Sequence, residues 1–250
     1  MLANPRSLKL FTCFKTRRNY NRHGMIMSYL FYIELDGSNP LAWRKIAVPS
    51  TYFLNKLHLA IQGAFGWENS HLFEFCVRAS PALMRYGILD DLDPDPEVLD
   101  ARKTKMSKLF KEVGQRSEYI YDFGDYWKHR ITLEKVDSED LARPYCLEGV
   151  GACPPEDAVG IHGYDQMLEA VKSPKSDEAK EYREWLGLTK GEQWDPAFCS
   201  VRLVNKRLCL IERVYRSWLK IKRICRIYIL LPVVMGRVKQ PQALPSSLKF

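Results

Sequence analysis

No apolar run in this 250-residue chain approaches the roughly 20 residues that a membrane-spanning helix needs. The most apolar stretch, Ile227 to Met235, has nine residues and is interrupted by Pro232, so no transmembrane segment is expected. A secretory leader of the charged, apolar, small-residue kind is also missing. The seven cysteines (Cys13, Cys76, Cys146, Cys153, Cys199, Cys209 and Cys225) are odd in number and irregularly spaced, which excludes a regular disulfide framework and makes a reducing, cytoplasmic setting the default. Phosphate-binding glycine loops, nucleophile elbows and the paired-histidine helix of metalloproteases are absent as well, and Gly160-Ile161-His162-Gly163 is too short a glycine signal to stand for any of them.

The chain has little positive charge where a fold is expected. Its formal net charge is +8, but residues 1–24 hold six Lys/Arg and no acid, and residues 206–250 hold eleven Lys/Arg and one acid. The remaining residues, 25–205, carry 21 basic and 29 acidic side chains, a net charge of −8. A general phosphate binder presents a basic face, so nucleic acid is expected to be contacted through the basic tails if at all. With 46% hydrophobic and 12% aromatic residues, the middle of the chain has enough apolar surface to form a core.

The organising stretch is Tyr119 to Val136. Its second half alternates Trp127, His129, Ile131 and Leu133 on one face with Tyr126, Lys128, Arg130 and Thr132 on the other, the period of a half-buried strand. Asp122-Phe123-Gly124-Asp125 before it reads as a turn, with Gly124 as the residue able to take positive φ. Upstream, Tyr29, Phe31, Ile33 and Leu35 mark a first strand, and Trp43 to Val48 a second that ends at Pro49. Ser50 or Thr51 is the expected cap of a helix carrying Leu54, Leu57, Ile61, Ala64 and Phe65 and ending at Gly66. His71 to Val77 alternates again. The order strand, strand, helix, strand, followed by a hairpin, predicts an α+β fold with a mostly antiparallel sheet and C-terminal helices packed on it.

The acidic segment Asp90 to Glu97 and the mixed-charge segment Ala101 to Gly114 read as one long loop with a helical turn near Lys108 to Val113. Residues 143–160, rich in Gly and Pro, read as a structured loop. Tyr164, Met167, Leu168 and Val171 form a helical stripe ending before Pro174. Ser176 caps a second stripe of Ala179, Tyr182, Trp185 and Leu186 that ends at Gly187, and a short helix is expected near Asp195-Pro196 through Val204. Val204, Leu208, Ile211, Tyr215, Trp218 and Ile224 then keep a helical period among basic residues, which fits either a basic amphipathic helix for a membrane surface, an acidic partner or RNA, or a helix laid on the chain's own acidic core.

Four separated segments carry a family resemblance: Trp43-Arg44-Lys45-Ile46-Ala47-Val48-Pro49, Gly66-Trp67-Glu68-Asn69-Ser70-His71-Leu72-Phe73-Glu74-Phe75, Tyr121-Asp122-Phe123-Gly124-Asp125-Tyr126-Trp127-Lys128-His129, and Cys153-Pro154-Pro155-Glu156-Asp157 with Gly163-Tyr164. In this order and spacing they resemble the plasmid (Ri plasmid) ORF-three-like family over roughly residues 28–208. The resemblance implies an α+β domain of bacterial type, also known as a TnpR-like passenger of insertion elements. Recombinase chemistry needs an activated serine within an arginine cluster, and none of these motifs supplies one. The expected organisation is a basic, disordered extension at 1–24, the family domain at 25–208 and a basic, divergent tail at 209–250.

Three groups of residues can carry chemistry. Asp122, Asp125 and His129 bind a divalent metal or do acid/base work if their side chains converge, with Glu74 or His71 from the neighbouring strand; otherwise His129 is a core histidine and the aspartates close the turn. Cys146, Cys153 and His162, with His71 as a fourth ligand, form a second possible metal set, although six residues between the cysteines is not the usual zinc spacing. Glu156 and Asp157 suit the first turn of a helix. Three functions remain open: a non-enzymatic binding or accessory module whose aromatic and acidic surface recognises a protein partner, a metal-dependent enzyme at the Asp122, Asp125 and His129 corner, and a nucleic-acid-associated protein acting through its tails.

Overall fold

The computed structural model describes residues 27–79, 82–88, 95–138, 141–173 and 175–224. The basic N-terminal extension, the start of the acidic segment at 90–94 and the chain beyond 224 lie outside them. Alternation in the sequence becomes one wall of the core: β1 (Ser28–Leu35) and β7 (Trp127–Asp137) pair antiparallel, with Phe31 opposite Leu133 and Ile33 opposite Ile131, and all four are fully buried. Around this pair an eight-stranded sheet forms in the order β5-β4-β3-β6-β7-β1-β2-β8. Its other strands are β2 (Trp43–Pro49), β3 (Phe73–Ala79), β4 (Ala82–Gly87), β5 (Val98–Asp100), β6 (Arg116–Tyr121) and β8 (Tyr145–Val150). Only the short β4–β5 contact is parallel among the described pairs.

Helix α1 (Leu54–Phe65) lies on the buried face, with Leu54, Leu57, Ile61, Ala64 and Phe65 in the core. Ser50 and Thr51 do not cap it. Its N-cap is Phe53, which makes no side-chain cap bond, and the first amides go instead to a neighbouring segment, Leu54 N to Thr104 O at 2.9 Å and Asn55 N to Ala101 O at 3.2 Å. Tertiary carbonyls thus do what a capping side chain does elsewhere. The far end follows the expectation: Gly66 is left-handed at φ 90° and its N–H reaches Gln62 O at 2.7 Å.

Three further departures have local causes. The stretch read as a long loop from Asp90 to Gly114 contains β5, and β4, just before it, is not among the expected strands at all; neither alternates cleanly, since Leu83 and Leu99 face solvent. Tyr145–Val150 is not a loop but the edge strand β8, held to β2 and covered at its outer edge by Asn205, whose amide group bonds both Cys146 N and Cys146 O at 2.8 Å. The expected short helix ending at Val204 is the first turn of α4 (Val201–Ile224), a single 24-residue helix. It packs through Leu208 and Ile211 onto Gly63 of α1, where an added Cβ would come within 2.7 Å of Ile211 and 3.1 Å of Leu208. No helix among the described residues is long and apolar enough to cross a membrane.

The opposite face of the sheet is laced with ion pairs, among them Lys45 with Glu134 (3.2 Å), Lys128 with Glu118 (3.0 Å) and Arg130 with Glu34 (2.8 Å). Exposed pairs of this kind each contribute about 0–1 kcal/mol, so this face tells more about solubility than stability. Helices α2 (Gly160–Ala170) and α3 (Asp177–Trp185) complete the fold. Ser176 caps α3 as expected, accepting from Ala179 N at 3.1 Å.

Candidate functional site

The site is built at the end of the sheet where α1 hands over to β3, and its framework is a connecting segment whose amides are held from below. After Gly66 the chain runs through Trp67 to Leu72, with Asn69 left-handed at φ 62°. Glu68 N donates to Glu156 Oε2 at 2.8 Å, Asn69 N to Gln62 Oε1 at 3.0 Å, Ser70 N to the Tyr121 hydroxyl at 2.9 Å and to Glu156 Oε1 at 3.3 Å, and His71 N to the Tyr121 hydroxyl at 3.2 Å. Tyr121 in turn donates to Glu156 through a short hydrogen bond. Burial and the neighbouring Glu156 carboxylate push the Tyr121 phenol far above its usual range.

Glu156 is therefore a buried acceptor and not the first-turn acid expected of it. Helix α2 begins at Gly160 and has no acidic residue in its first turn. Pro154 and Pro155 keep the preceding chain extended, and this segment is pinned by two indoles: Trp67 Nε1 donates to Pro154 O and Trp127 Nε1 to Glu156 O, both at 3.0 Å. The acid that meets α2 is Asp125, which accepts from the amides of Gly160 and Val159; burial, its largest influence, raises its pKa. Its Oδ2 is buried with no hydrogen-bond partner among the described residues. Close approach continues into α2, where a Cβ on Gly163 would collide with Ala158 O. Gly163→Ala is thus expected to cost about 1–3 kcal/mol by overpacking, seen as a lower urea midpoint; an unchanged midpoint contradicts the close packing.

Below this segment a second network runs in one direction. Gln62 Nε2 donates to the Tyr119 hydroxyl at 3.0 Å, Tyr119 donates to His58 Nδ1 at 2.7 Å, and His58 Nε2 faces Asn69 Oδ1 at 2.5 Å. Because Nε2 faces the amide oxygen of Asn69, which can only accept, the neutral imidazole carries its proton on Nε2 and accepts at Nδ1 from Tyr119. His58 stacks on Phe73 with ring centroids 3.6 Å apart, and burial lowers its pKa to about 3. His129 is also fully buried, between Phe65, Trp67 and Tyr119. Its Nδ1 bonds Trp127 O at 3.1 Å, Nε2 has no partner among the described residues, and burial lowers its pKa to about 3.

The rim is different in character. His71 sits between two carboxylates, Nδ1 3.4 Å from Asp122 Oδ2 and Nε2 3.2 Å from Asp157 Oδ1. Asp122 Oδ1 accepts from Gly124 N at 2.9 Å, and the left-handed residues of this turn are Asp122 (φ 56°) and Tyr126 (φ 55°), not Gly124. The Asx bond makes the left-handed region accessible to Asp122, so the turn does not need glycine's freedom. An open hollow of about 430 Å³ is lined by Ser70, His71, Leu72, Asp122, Phe123 and Gly124.

The residues singled out from the sequence are thus split. Asp122 meets His71 at the rim, Asp125 turns toward α2, His129 is enclosed in the core, and Glu74 pairs with Arg85 on the outer face of the sheet at 2.9 Å. Cys146 is buried on β8 beneath α4, Cys153 is shielded near Arg44 and Arg207, and His162 faces Gln166 on the exposed side of α2. No group of three or more metal-ligating side chains among the described residues is arranged to hold an ion. Burial raises the Cys146 thiol to about 11 and drives Cys153 higher still, so both are poor nucleophiles at neutral pH.

Residues 27–202 match the plasmid pRiA4b ORF-3-like protein family. The chain belongs to that family. It is 35% identical over 176 residues to the uncharacterized protein y4hQ of Sinorhizobium fredii, covering 70% of this chain and 87% of that one. It also resembles the crystal structure of a protein of unknown function, MM3350, from Methanosarcina mazei Go1, with a TM-score of 0.62 and 31% identity, covering 72% of this chain and 98% of that one. For this plasmid pRiA4b ORF-3-like chain, three of the four motifs that carry the resemblance meet at the corner just described. The fourth supplies Arg44, a buried cation next to it. Its guanidinium donates to the carbonyls of Ala64 (3.1 Å), Trp43 (2.8 Å), Val150 (2.7 Å) and Gly151 (2.9 Å) and lies 5.3 Å from the centre of the Phe65 ring.

Arg44, His58, Gln62 and Tyr119 had not been singled out from the sequence. A signal was present for two of them. Arg44 shares the inward phase of β2 with Ile46 and Val48, and His58 falls in the apolar stripe of α1. A polar residue on a buried face needs partners.

Proposed function

We propose that this chain is a non-enzymatic binding module, an accessory protein of plasmids and insertion elements in the cytoplasm, and that the corner around His71 recognises a protein partner. The observation that carries this reading is the contrast between the corner's interior and its rim. Inside, the donors and acceptors of the 67–72 segment are fixed by buried side chains, so the surface is held in one shape before anything binds. Outside, Leu72 (58%), Phe123 (50%), Tyr126 (55%) and Val159 (50%) are exposed around carboxylates. Preorganised apolar residues with a polar rim are what protein recognition uses. Of the acid/base corner expected from the sequence, His129 is enclosed in the core and Asp125 turns toward α2, which leaves Asp122 beside His71 at the rim. The plasmid and insertion-element association rests on the family resemblance, and the cytoplasmic setting on the cysteine pattern.

The test is in-cell cross-linking in a host carrying the gene, with partners quantified by mass spectrometry for the native chain and for Phe123→Ser with Leu72→Ser. Both side chains are exposed, so folding is expected to be unchanged by circular dichroism. A defined set of proteins that falls severalfold in the variant supports the reading; identical recovery from both chains overturns it.

A further inference from the structure

The hollow at the rim has an uncommon combination of lining groups. Phe123 offers an exposed ring and Asp122 a carboxylate, and Asp157 stands just beyond the lining, across His71 from Asp122; among the described residues neither carboxylate pairs with a lysine or arginine, and both face the His71 imidazole. Nearby Glu68 and Asp125 also carry carboxylates. Burial and then Glu156 and Asp157 raise the first, and Asp122 and Asp157 add to burial in raising the second, the behaviour of like charges short of a counter-ion. Residues 25–205 as a whole are acidic by eight charges.

We propose that this hollow receives an arginine side chain presented by an extended segment of a partner protein, with an apolar neighbour of that arginine resting on Leu72. The inference deepens the binding-module reading and rests on it. A guanidinium is the one side chain that matches both features. Its plane stacks on an aromatic ring, here Phe123, while its fork pairs with a carboxylate, here Asp122 or Asp157, taking the place of His71. A lysine ammonium satisfies the charge without the planar stacking, and an uncharged residue leaves the carboxylates unpaired.

The probe is a set of three peptides, acetyl-Ala-Leu-X-Leu-Ala-amide with X as arginine, lysine or citrulline, titrated into the full-length isotope-labelled chain and followed by amide NMR. The arginine peptide is expected to shift the signals of His71 and Gly124 saturably and to bind about tenfold more tightly than the citrulline peptide, a difference of one good charge-assisted contact. Lysine should fall between them. Asp122→Asn combined with Asp157→Asn removes the charges, while the new side-chain amide at position 122 keeps an acceptor for Gly124 N, and the double variant should erase the preference for arginine over citrulline. Equal binding of all three peptides, shifts confined to other surfaces, or no shift at millimolar peptide overturns the inference. If that happens while the Phe123 and Leu72 variants still lose partners in cells, the binding-module reading survives and only its arginine specificity fails; if neither effect is seen, both fail.

Discussion

Glu156→Ala is expected to lower the unfolding free energy by about 3–5 kcal/mol, close to the loss of a large core side chain although no apolar contact is the main casualty. The residue is 4% exposed, and its carboxylate accepts from Glu68 N, Ser70 N and the Tyr121 hydroxyl. Alanine accepts from none of them; Ser70 N keeps the Tyr121 hydroxyl, but Glu68 N and the Tyr121 hydroxyl lose their acceptor, and each such donor left unpaired costs about 1–3 kcal/mol, of which water entering the vacated space recovers a part. Urea unfolding should show the lower midpoint with an unchanged slope. Glu156→Gln keeps one carboxyl-like oxygen and should lose less, about 1–2 kcal/mol. Tyr121→Phe deprives His71 N of its acceptor and leaves Ser70 N only the longer bond to Glu156 Oε1, so the two sites belong to one network and should not add: a coupling energy of about 0.5–3 kcal/mol is expected from the double-mutant cycle. Hydrogen exchange supplies the local readout, with the amides of residues 68–71 losing protection before the core strands do. A loss below about 1 kcal/mol for Glu156→Ala, or simple additivity with Tyr121→Phe, contradicts the arrangement.

Such a residue explains the limits of what the sequence makes legible. The strands β1, β2, β3 and β7 and the stripe of α1 follow from alternation and helical period because one face of each is buried, and burial forces a pattern on the residue types. Ser176 and Gly66 are legible for a similar reason: a cap bond and a left-handed terminus each select a narrow class of residue. β4 and β5 are not, since Leu83 and Leu99 face solvent and remove the alternation. β8 fails differently. It pairs only with β2 through a register shift near Lys45 and Ile46, and its glycine is required by packing, because a Cβ on Gly149 would meet Arg44 at 2.7 Å and Cys199 at 3.0 Å. A glycine selected by such crowding looks like a loop glycine in the sequence. Asp122, Asp125 and His129 fall within eight residues of one another, yet the turn sends them to the rim, to α2 and to the core, while Glu156, 35 residues beyond Tyr121, is its partner. Proximity along the chain misplaces a site whose members are brought together by three separate connections.

The second large effect is a loss of stability on mild acidification, before carboxylates protonate. His58 and His129 are both lowered by burial from the usual 6.5 to about 3, which means that the folded chain holds each imidazole neutral while the unfolded chain lets it take a proton. Their contribution to stability is complete above pH 6.5 and is lost as pH falls from 6.5 toward 3, at about 1.4 kcal/mol per pH unit for each histidine. At pH 5 the pair should have cost about 4 kcal/mol, a large share of the roughly 5–15 kcal/mol that holds a domain folded. Asp125 and Glu68, with raised pKa values, act in the opposite sense, so the histidine part is read from the difference between the native chain and a histidine variant. Urea midpoints across that interval should fall steadily. His129→Leu removes one titrating group whose Nε2 has no partner to lose among the described residues, and it should reduce the slope by about half even if it shifts the midpoint at pH 7. A pH-independent midpoint in the native chain, or a slope unaltered by His129→Leu, means that the imidazoles reach water or a partner that the buried geometry denies them. The same experiment separates His129 from any acid/base or metal-binding role: a histidine held neutral to about pH 3 in an apolar shell of Phe65, Trp67 and Tyr119 neither carries a proton at neutral pH nor meets the solvent from which an ion would come.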